Sequence, residues 1–172
     1  LGKPLSELNA VGVHMGGGIS VCAIEQGKLI DANNALLGMG PFSPQRAGAL
    51  PVGDLINLCF SGEYSQKELE GMFAKKSGLI AYLDTDDGRT VGKMIDDGDK
   101  NAELIYQAMA YQVAKEIGAM ATVLKGKVDA IILTGGLAYD EKYLVKWIRE
   151  RTAFIAQFVM LPGEKEMEAL AL

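Results

Sequence analysis

Three consecutive glycines, Gly16, Gly17 and Gly18, stand between two apolar runs, shortly after His14. Glycine weakens a strand, so three together need a local reason. They permit positive φ and close approach of a ligand to the backbone, and successive exposed N–H groups bind anions. A neutral His14 could donate to a phosphate oxygen, and a protonated one would add charge. The loop is therefore a candidate phosphate site; the alternatives are a tight hairpin turn and a core histidine bonded to a backbone carbonyl.

A second glycine pair, Gly135 and Gly136, follows another apolar run in the stretch LTGGLAYD. Ligands of open α/β sheets bind at the carboxyl ends of strands, and glycine lets a flat base or a phosphate lie close. Close packing of a helix on the sheet is the alternative. The sequence contains neither GxGxxG nor GxxxxGK[ST], so it has no dinucleotide fingerprint and no P-loop.

Three charged side chains in turn-like segments could bind an anionic ligand. Arg46 lies in the Pro- and Gly-containing loop FSPQRAG, and its planar fork suits phosphate or carboxylate. In DTDDGR, Asp87 could accept hydrogen bonds from ribose hydroxyls and Arg89 could contact phosphates. The alternatives are a solvent-exposed loop cation for Arg46 and a solvated turn for the other two.

Acidic residues cluster near the end of the chain, at Glu164, Glu166 and Glu168. Carboxylates at a helix start complement the positive helix end, which is the ordinary explanation. The functional alternative is a magnesium ligand, because Mg²⁺ takes one or two carboxylates together with phosphates and water. With a single histidine, no Ser/His/Asp triad can be assembled convincingly.

The composition is that of one ordinary domain: 172 residues, 49% hydrophobic, with a net charge of −5. The acidic balance argues against a nucleic-acid or anionic-membrane partner. Cys22 and Cys59 lack CxxC spacing and are expected to be buried free thiols of a reducing compartment. No apolar run approaches the roughly 20 residues that span a bilayer, and no signal peptide opens the chain, so a cytoplasmic location is expected.

Hydrophobic periodicity and turn residues predict three strands, a long loop, several helices, a buried strand, a helix, a last strand and a final helix. The predicted strands cover residues 11–14, 19–24, 28–32, 130–133 and 154–160, and the main predicted helices cover residues 52–60, 65–76, 101–125 and 139–151. A short helix is also expected up to Ile95. Val52, Leu55, Ile56 and Cys59 would form an apolar stripe on the first helix.

This order, β-β-β, helices, then β-α-β-α, is typical of an RNase-H-like domain, an α/β fold with a mixed sheet and helices on its faces. The two ends look cut. Leu1 is not an initiator methionine, and the helical pattern of the last residues has no stop signal. The chain is therefore expected to be one domain of a longer polypeptide.

Four long motifs resemble one family: HMGGGISV, DANNALLGMGPFSPQRAGALPVGDL, AMAYQVAKEIGAMATVLKGKVDAIILTGGLAYD and PGEKEMEALAL. They are similar to the carboxy-terminal half of the butyrate kinases, in the acetate kinase group of the sugar kinase/Hsp70/actin superfamily. The resemblance covers about residues 11–172 and implies an actin-like ATPase fold.

The resemblance implies roles for the candidate residues. The loop from His14 to Gly18 matches the family's motif for the β- and γ-phosphates of ATP, and Asp87 and Arg89 resemble its nucleotide-contacting Asp-x-Arg. The adenosine motif is matched by a separate run, which consists of Gly135, Gly136 and Leu137.

Arg46 matches an arginine of the family's TRSG motif that is thought to bind the acyl phosphate or the transition state. Ala47 replaces the serine of that motif. Glu166 is expected to be the magnesium-linked catalytic glutamate, with its register uncertain by a residue or two.

The implied activity is reversible, in-line phosphoryl transfer from ATP–Mg²⁺ to butyrate, producing ADP and butyryl phosphate. Residues 1–172 would form the nucleotide-side lobe, inactive alone, with the amino-terminal lobe of the same polypeptide and a closing helix missing. A homo-oligomer is also implied. Two alternatives stay open: a kinase for acetate or branched acids, and a non-catalytic nucleotide-binding or assembly module with an exposed apolar patch.

Overall fold

Five strands form one mixed sheet in the computed structural model, which describes residues 2–163. They are β1 (Ala10–Met15), β2 (Ile19–Glu25), β3 (Lys28–Ala32), β4 (Ala130–Gly135) and β5 (Gln157–Pro162). Their order is β3-β2-β1-β4-β5. The first three strands are antiparallel neighbours, whereas β4 runs parallel to both β1 and β5. The predicted mixed sheet and the predicted order of the strands along the chain are confirmed.

Six α-helices are described in residues 2–163: α1 (Val52–Cys59), α2 (Gln66–Lys75), α3 (Leu79–Leu83), α4 (Gly88–Asp96), α5 (Lys100–Val123) and α6 (Leu144–Thr152). Two short 3-10 helices cover Leu5–Glu7 and Gly136–Tyr139. The predicted capping box opens α2, because Ser65 and Glu68 bond each other's backbone N–H groups. Asp99 caps α5, and Gly126, at φ +73°, follows its end.

Helix α5 packs against the sheet and supplies much of the core. Alternate residues of β1, namely Val11, Val13 and Met15, are buried in the same cluster as Met109 and Ile117 of α5. The residues between them on β1 are half-buried. The buried face of β1, given by every second residue, therefore packs against the apolar stripe of α5.

The parallel pairing of β1 with β4 brings the two glycine segments to the same edge of the sheet. His14 is paired with Thr134 in this register, so both strands end together. The three-glycine loop follows β1, and Gly135 closes β4. Parallel neighbours always place their carboxyl ends at a common edge, where ligands of α/β sheets bind.

Two predicted boundaries near the end of the described chain are wrong. The helix expected over residues 139–151 is divided into the 3-10 helix Gly136–Tyr139 and α6. Asp140 lies between the two helices, and its carboxylate accepts the N–H of Tyr143, the residue before α6, at 3.0 Å. The last strand begins at Gln157 rather than at residue 154, and Phe154 is exposed in the turn before it.

The apolar stripe of α1 is not buried as its pattern indicated. Val52 and Ile56 are exposed, and so is Cys59, which corrects the expectation that both cysteines are buried. Cys22 is half-buried, and burial raises the pKa of its thiol. Helix α3 has too few residues for its period to have been recognised. The predicted final helix lies outside residues 2–163.

Within residues 2–163, the helices are all too short or too polar to cross a bilayer.

Candidate functional site

The three-glycine loop is braced by the segment that carries Arg46. Ser43 Oγ donates to the carbonyl oxygen of Gly17 at 2.8 Å, and the backbone N–H of Gln45 donates to the same oxygen at 3.1 Å. The N–H of Gly16 bonds the carbonyl of Gly18 at 2.9 Å. The long Pro- and Gly-containing loop thus folds back onto the end of β1.

Gly17 and Gly18 are approached closely by side chains, and their backbone conformation does not itself require glycine. None of Gly16, Gly17 and Gly18 has a positive φ. A Cβ on Gly18 would overlap Nη1 of Arg46 and lie 2.5 Å from its Cζ, and a Cβ on Gly17 would lie 3.1 Å from the Gln45 amide. A side chain at Gly18 would displace the arginine, and one at Gly17 would crowd the Gln45 amide.

Arg46 lies against Gly18 with an incompletely satisfied guanidinium. Its Nη1 donates to the carbonyl of Ala35 at 3.0 Å, whereas its buried Nε has no hydrogen-bond partner among residues 2–163. Arg46 is half-buried, and no carboxylate of the described chain forms an ion pair with it. A half-buried cation without an acidic partner is costly unless a ligand neutralises it. The position of the Arg46 guanidinium therefore suits an anionic ligand.

His14 connects the two strand ends. Its Nδ1 lies 2.9 Å from the hydroxyl of Thr134, and the ring is half-buried. The residue is therefore bonded to a neighbouring side chain, whereas the alternative from the sequence was a backbone carbonyl. It aligns the carboxyl ends of β1 and β4 and is not among the residues that line the cleft.

The two glycines of the second segment, Gly135 and Gly136, have different roles. Gly135, at φ +88° and ψ 173°, occupies a region open essentially to glycine alone, and its carbonyl and N–H both bond Gly163. A Cβ there would overlap the backbone of Met15. Gly136 is exposed and open to the cleft, while Leu137 is mostly buried and contributes to its wall. Gly135 thus packs β4 against β1, and Gly136 faces the cleft.

Asp87 and Arg89 open α4 at the edge of the cleft. The Asp87 carboxylate caps the helix, accepting from the backbone N–H of Arg89 at 3.0 Å and from the Arg89 guanidinium at 3.1 Å. These bonds hold the pKa of Asp87 below its usual range. The Arg89 side chain is 93% exposed, so its guanidinium can turn towards a ligand.

A cleft of about 720 Å³ lies between the two glycine segments and α4. It collects Gly16, Gly17, Asp87, Arg89, Gly136 and Leu137 of the residues that the sequence singled out. Arg46 adjoins it at Gly18. Glu166 lies outside residues 2–163, so its predicted role stays a prediction.

Several cleft residues were missed by the sequence reading. Asp86 accepts a 2.9 Å hydrogen bond from Gln45, which ties the turn before α4 to the glycine loop. At another part of the wall, Asp96 pairs with Lys142 and accepts from the Tyr143 hydroxyl at 2.5 Å. These partners, Lys142 first, hold the pKa of Asp96 below its usual range.

One sequence signal could have indicated that α4 lines the cleft. Gly88, Gly92 and Asp96 are spaced four residues apart, which puts them on one helix face. All three line the cleft. The missing side chain of Gly88 leaves room for Tyr106 and Leu137, and that of Gly92 lies next to Tyr143. Nothing in the sequence indicated the contacts of Gln45, Lys142 and Tyr143, since these join segments far apart in the chain.

Residues 2–163 contain no group of three or more His, Cys, Asp or Glu side chains arranged to hold a metal ion. A magnesium ion held mainly by phosphates and water needs only one or two carboxylates. Asp86, in the cleft beside Gly16 and Gly17, is a described residue of suitable chemistry.

Solved structures similar to this one include acetate kinases and a propionate kinase. Acetate kinase from Porphyromonas gingivalis has a TM-score of 0.84 and 20% identity, covering 96% of this chain and 48% of its own. Propionate kinase from Francisella tularensis gives 0.81 and 22%, over 94% and 47% of the two chains. Acetate kinase from Entamoeba histolytica gives 0.83 and 21%, over 98% and 52%.

These similarities show an actin-like ATPase fold, as predicted, and the chain spans about half the length of each of these relatives. The sequence profile of the acetokinase family matches residues 1–158. The chain therefore belongs to the acetokinase family.

Proposed function

We propose that the full-length protein is an ATP-dependent carboxylate kinase that phosphorylates butyrate to butyryl phosphate, reversibly, and that this chain is its nucleotide-side lobe. The observation that carries the proposal is Arg46. Its guanidinium has no acidic partner among residues 2–163, and it lies across the glycine loop that borders the cleft. Such an arginine is suited to charge that develops on a transferred phosphoryl group.

The cleft supports one orientation of the nucleotide. Gly16 and Gly17 offer a backbone approach for phosphates, and Gly136 with Leu137 forms a surface for adenosine. Asp87, as a carboxylate, suits ribose hydroxyls rather than phosphates. The terminal phosphate would then point past Gly17 towards Gly18 and Arg46.

The reaction requires little covalent work from the protein. A butyrate oxygen attacks the γ-phosphorus in line, the bond from that phosphorus to the bridging oxygen breaks, and ADP leaves with the bond's electrons. Butyrate is ionised near neutral pH, so no general base is needed. The expected task of Arg46 is to stabilise charge on the equatorial oxygens. Bound Mg²⁺ would neutralise phosphate charge, with Glu166 and Asp86 as the proposed carboxylates near it.

Apolar side chains near Arg46 support an acid with an alkyl tail. Leu36, Leu37 and Met39 are exposed in the loop whose Ala35 carbonyl accepts from the guanidinium. A carboxylate bound near Arg46 could lay its alkyl chain on this surface. The binding free energy would then gain about 25 cal/mol for each Å² of apolar surface that is buried. This gain favours butyrate over acetate.

The proposed partners are ATP, butyrate and the second lobe of the same polypeptide. A chain spanning about half the length of its relatives presents one wall of the proposed cleft. Phosphoryl transfer needs water excluded around the reacting groups. We therefore expect residues 1–172 alone to be inactive. The homo-oligomer implied by the resemblance stays a prediction.

The exposed face of α1 favours a second candidate function, a non-catalytic assembly module. Val52, Ile56 and Phe60 are exposed on this helix and just after it. Exposed apolar patches of this kind mark interaction surfaces. In this reading, the cleft binds a nucleotide without transferring its phosphate.

Purified full-length protein is expected to form acyl hydroxamate from ATP, hydroxylamine and a short-chain acid, with kcat/KM highest for butyrate. The assay compares butyrate, propionate, acetate and isobutyrate at matched concentrations. Nucleotide binding without any phosphorylated carboxylate would contradict the kinase proposal and favour the module. A preference for acetate or isobutyrate would keep the kinase but reject butyrate as its substrate.

The tryptophan is expected to report nucleotide binding. Trp147, the only tryptophan in the sequence, has ring centroids of Tyr143 and Tyr106 at 5.4 Å and 6.1 Å. Tyr143 lines the cleft, so a base or ribose there would change the surroundings of Trp147. Titration should give a saturable fluorescence change with ATP and with ADP, and little change with inorganic tripolyphosphate. An ATP titration with no change, while calorimetry detects binding, would place the nucleotide elsewhere.

A further inference from the structure

The hydroxyl of Tyr106 is buried beneath the cleft and has no hydrogen-bond partner among residues 2–163. Tyr106 lies on α5, with its ring edge-to-face against Trp147. A Cβ on Gly88 would lie 2.9 Å from its oxygen, so the hydroxyl sits directly under the first residue of α4. A buried hydroxyl without a partner is rare in folded proteins, so this one needs an explanation in the groups around it.

Two carboxylates of the cleft lie near this hydroxyl. Burial first, then the negative charge of Asp140 and the hydrogen-bonding approach of the phenol to that carboxylate, and last the charge of Asp87 raise the pKa of Tyr106 well above its usual range. The phenol therefore stays protonated and acts as a donor. Asp140 already accepts the N–H of Tyr143 at 3.0 Å, and that of Leu144 more loosely at 3.5 Å. An ionised carboxylate can accept further bonds, so Asp140 can receive the phenol and a ligand donor together.

The hydrogen-bonding groups of this part of the cleft indicate the ligand group that it fits. Asp87 and Asp140 are both half-buried and both line the cleft, together with Arg89, which is paired with Asp87, and Lys142. Carboxylates accept hydrogen bonds from a vicinal diol, whereas an ionised phosphate offers them no donor. The glycine loop offers the phosphates a better place. The acidic part therefore fits the sugar of a nucleotide.

We propose that Tyr106 is a positioning residue for the nucleotide's ribose: its hydroxyl donates to Asp140 and orients that carboxylate towards a ribose hydroxyl in the cleft. This inference rests on the proposed nucleotide site. Gly88 is part of the arrangement, because any side chain there would push Tyr106 and Leu137 away from the cleft floor. Helix α5, which touches no ligand itself, would thereby influence which sugar is bound.

The test compares ATP with 2′,3′-dideoxy-ATP by calorimetry on the full-length protein. The wild type is expected to bind ATP more tightly. Tyr106→Phe should weaken ATP about tenfold, the worth of one charge-assisted hydrogen bond, and leave dideoxy-ATP unchanged. A merely structural role would weaken both nucleotides equally. The matched control is Tyr111→Phe, which removes an exposed hydroxyl from the same helix and should change neither affinity.

Asp140→Asn provides a second, independent variant in case Tyr106→Phe fails to fold. It should lose the same preference for ATP, and adding Tyr106→Phe to it should have little further effect, because the two act as a unit. Equal affinity of the wild type for both nucleotides would overturn the inference while leaving the nucleotide site intact. So would an unchanged ratio in Tyr106→Phe. A wild type that binds neither nucleotide would reject the inference and the proposed function together.

Discussion

Replacing Arg46 with alanine is expected to lower the kcat of the full-length protein about 10³-fold, while the Kd for ATP changes less than about threefold. The guanidinium lies at Gly18, beyond the part of the glycine loop that lines the cleft. The guanidinium would therefore stabilise the negative charge that develops in the transition state more than the charge that bound ATP already carries. Loss of such an interaction lowers kcat without a matching loss of ground-state binding.

The Arg46 variant should also remain folded. The residue has no ion pair to lose among the described residues, and its half-buried charge is itself unfavourable. Thermal unfolding should therefore shift little. Added guanidinium ion should restore part of the activity of Arg46→Ala, which a merely structural role would not allow. An unchanged kcat would contradict the assigned role.

Arg151→Ala is the matched control for loss of one arginine charge. Its guanidinium lies 5.0 Å from the ring of Tyr111, and it does not line the cleft. Its kcat should equal that of the wild type. Arg46→Lys should recover only part of the rate, since an ammonium cannot form the planar fork of arginine.

The sheet was predictable because its strands obey local rules. The alternation of Val11, Val13 and Met15 and the apolar run starting at Ala130 reflect burial that any packing of these strands would require. The predictions from the sequence were wrong where the exposure of a residue depends on tertiary packing. The apolar stripe of α1 has the pattern of a buried face, yet Val52 and Ile56 remain exposed within the described chain. Periodicity reports that a face is apolar, not what covers it.

The candidate site was predictable to the same extent. Both glycine segments could be found, because a strand followed by glycines is a local pattern. The reason for each glycine could not be found, because it depends on residues distant in sequence: Arg46 for Gly18, and Met15 for Gly135. Asp87 was singled out from the sequence, whereas Asp140 and Tyr106 were not, since Tyr106 meets Gly88 only after α4 and α5 have packed together.

Gly135→Ala is expected to destabilise the fold by about 3 kcal/mol or more, and to abolish nucleotide binding by the fraction that stays folded. Two independent costs combine. Alanine does not tolerate φ +88° with ψ 173°, and its Cβ would overlap the backbone of Met15, which cannot move without breaking the pairing of β1 with β4. A flexible side chain could move aside to relieve such an overlap, but the backbone of Met15 cannot.

Gly136→Ala is the matched control, one residue along the same segment. A Cβ there meets no atom within 4 Å, so urea unfolding should give a stability close to that of the wild type. Because Gly136 is exposed and lines the cleft, its added methyl group should instead weaken ATP binding. The pair separates two uses of glycine: Gly135 lets two strands meet, and Gly136 lets a ligand approach. If both variants lost the same stability, the assignment of different roles to Gly135 and Gly136 would be wrong, because both positions would then exclude a side chain on structural grounds.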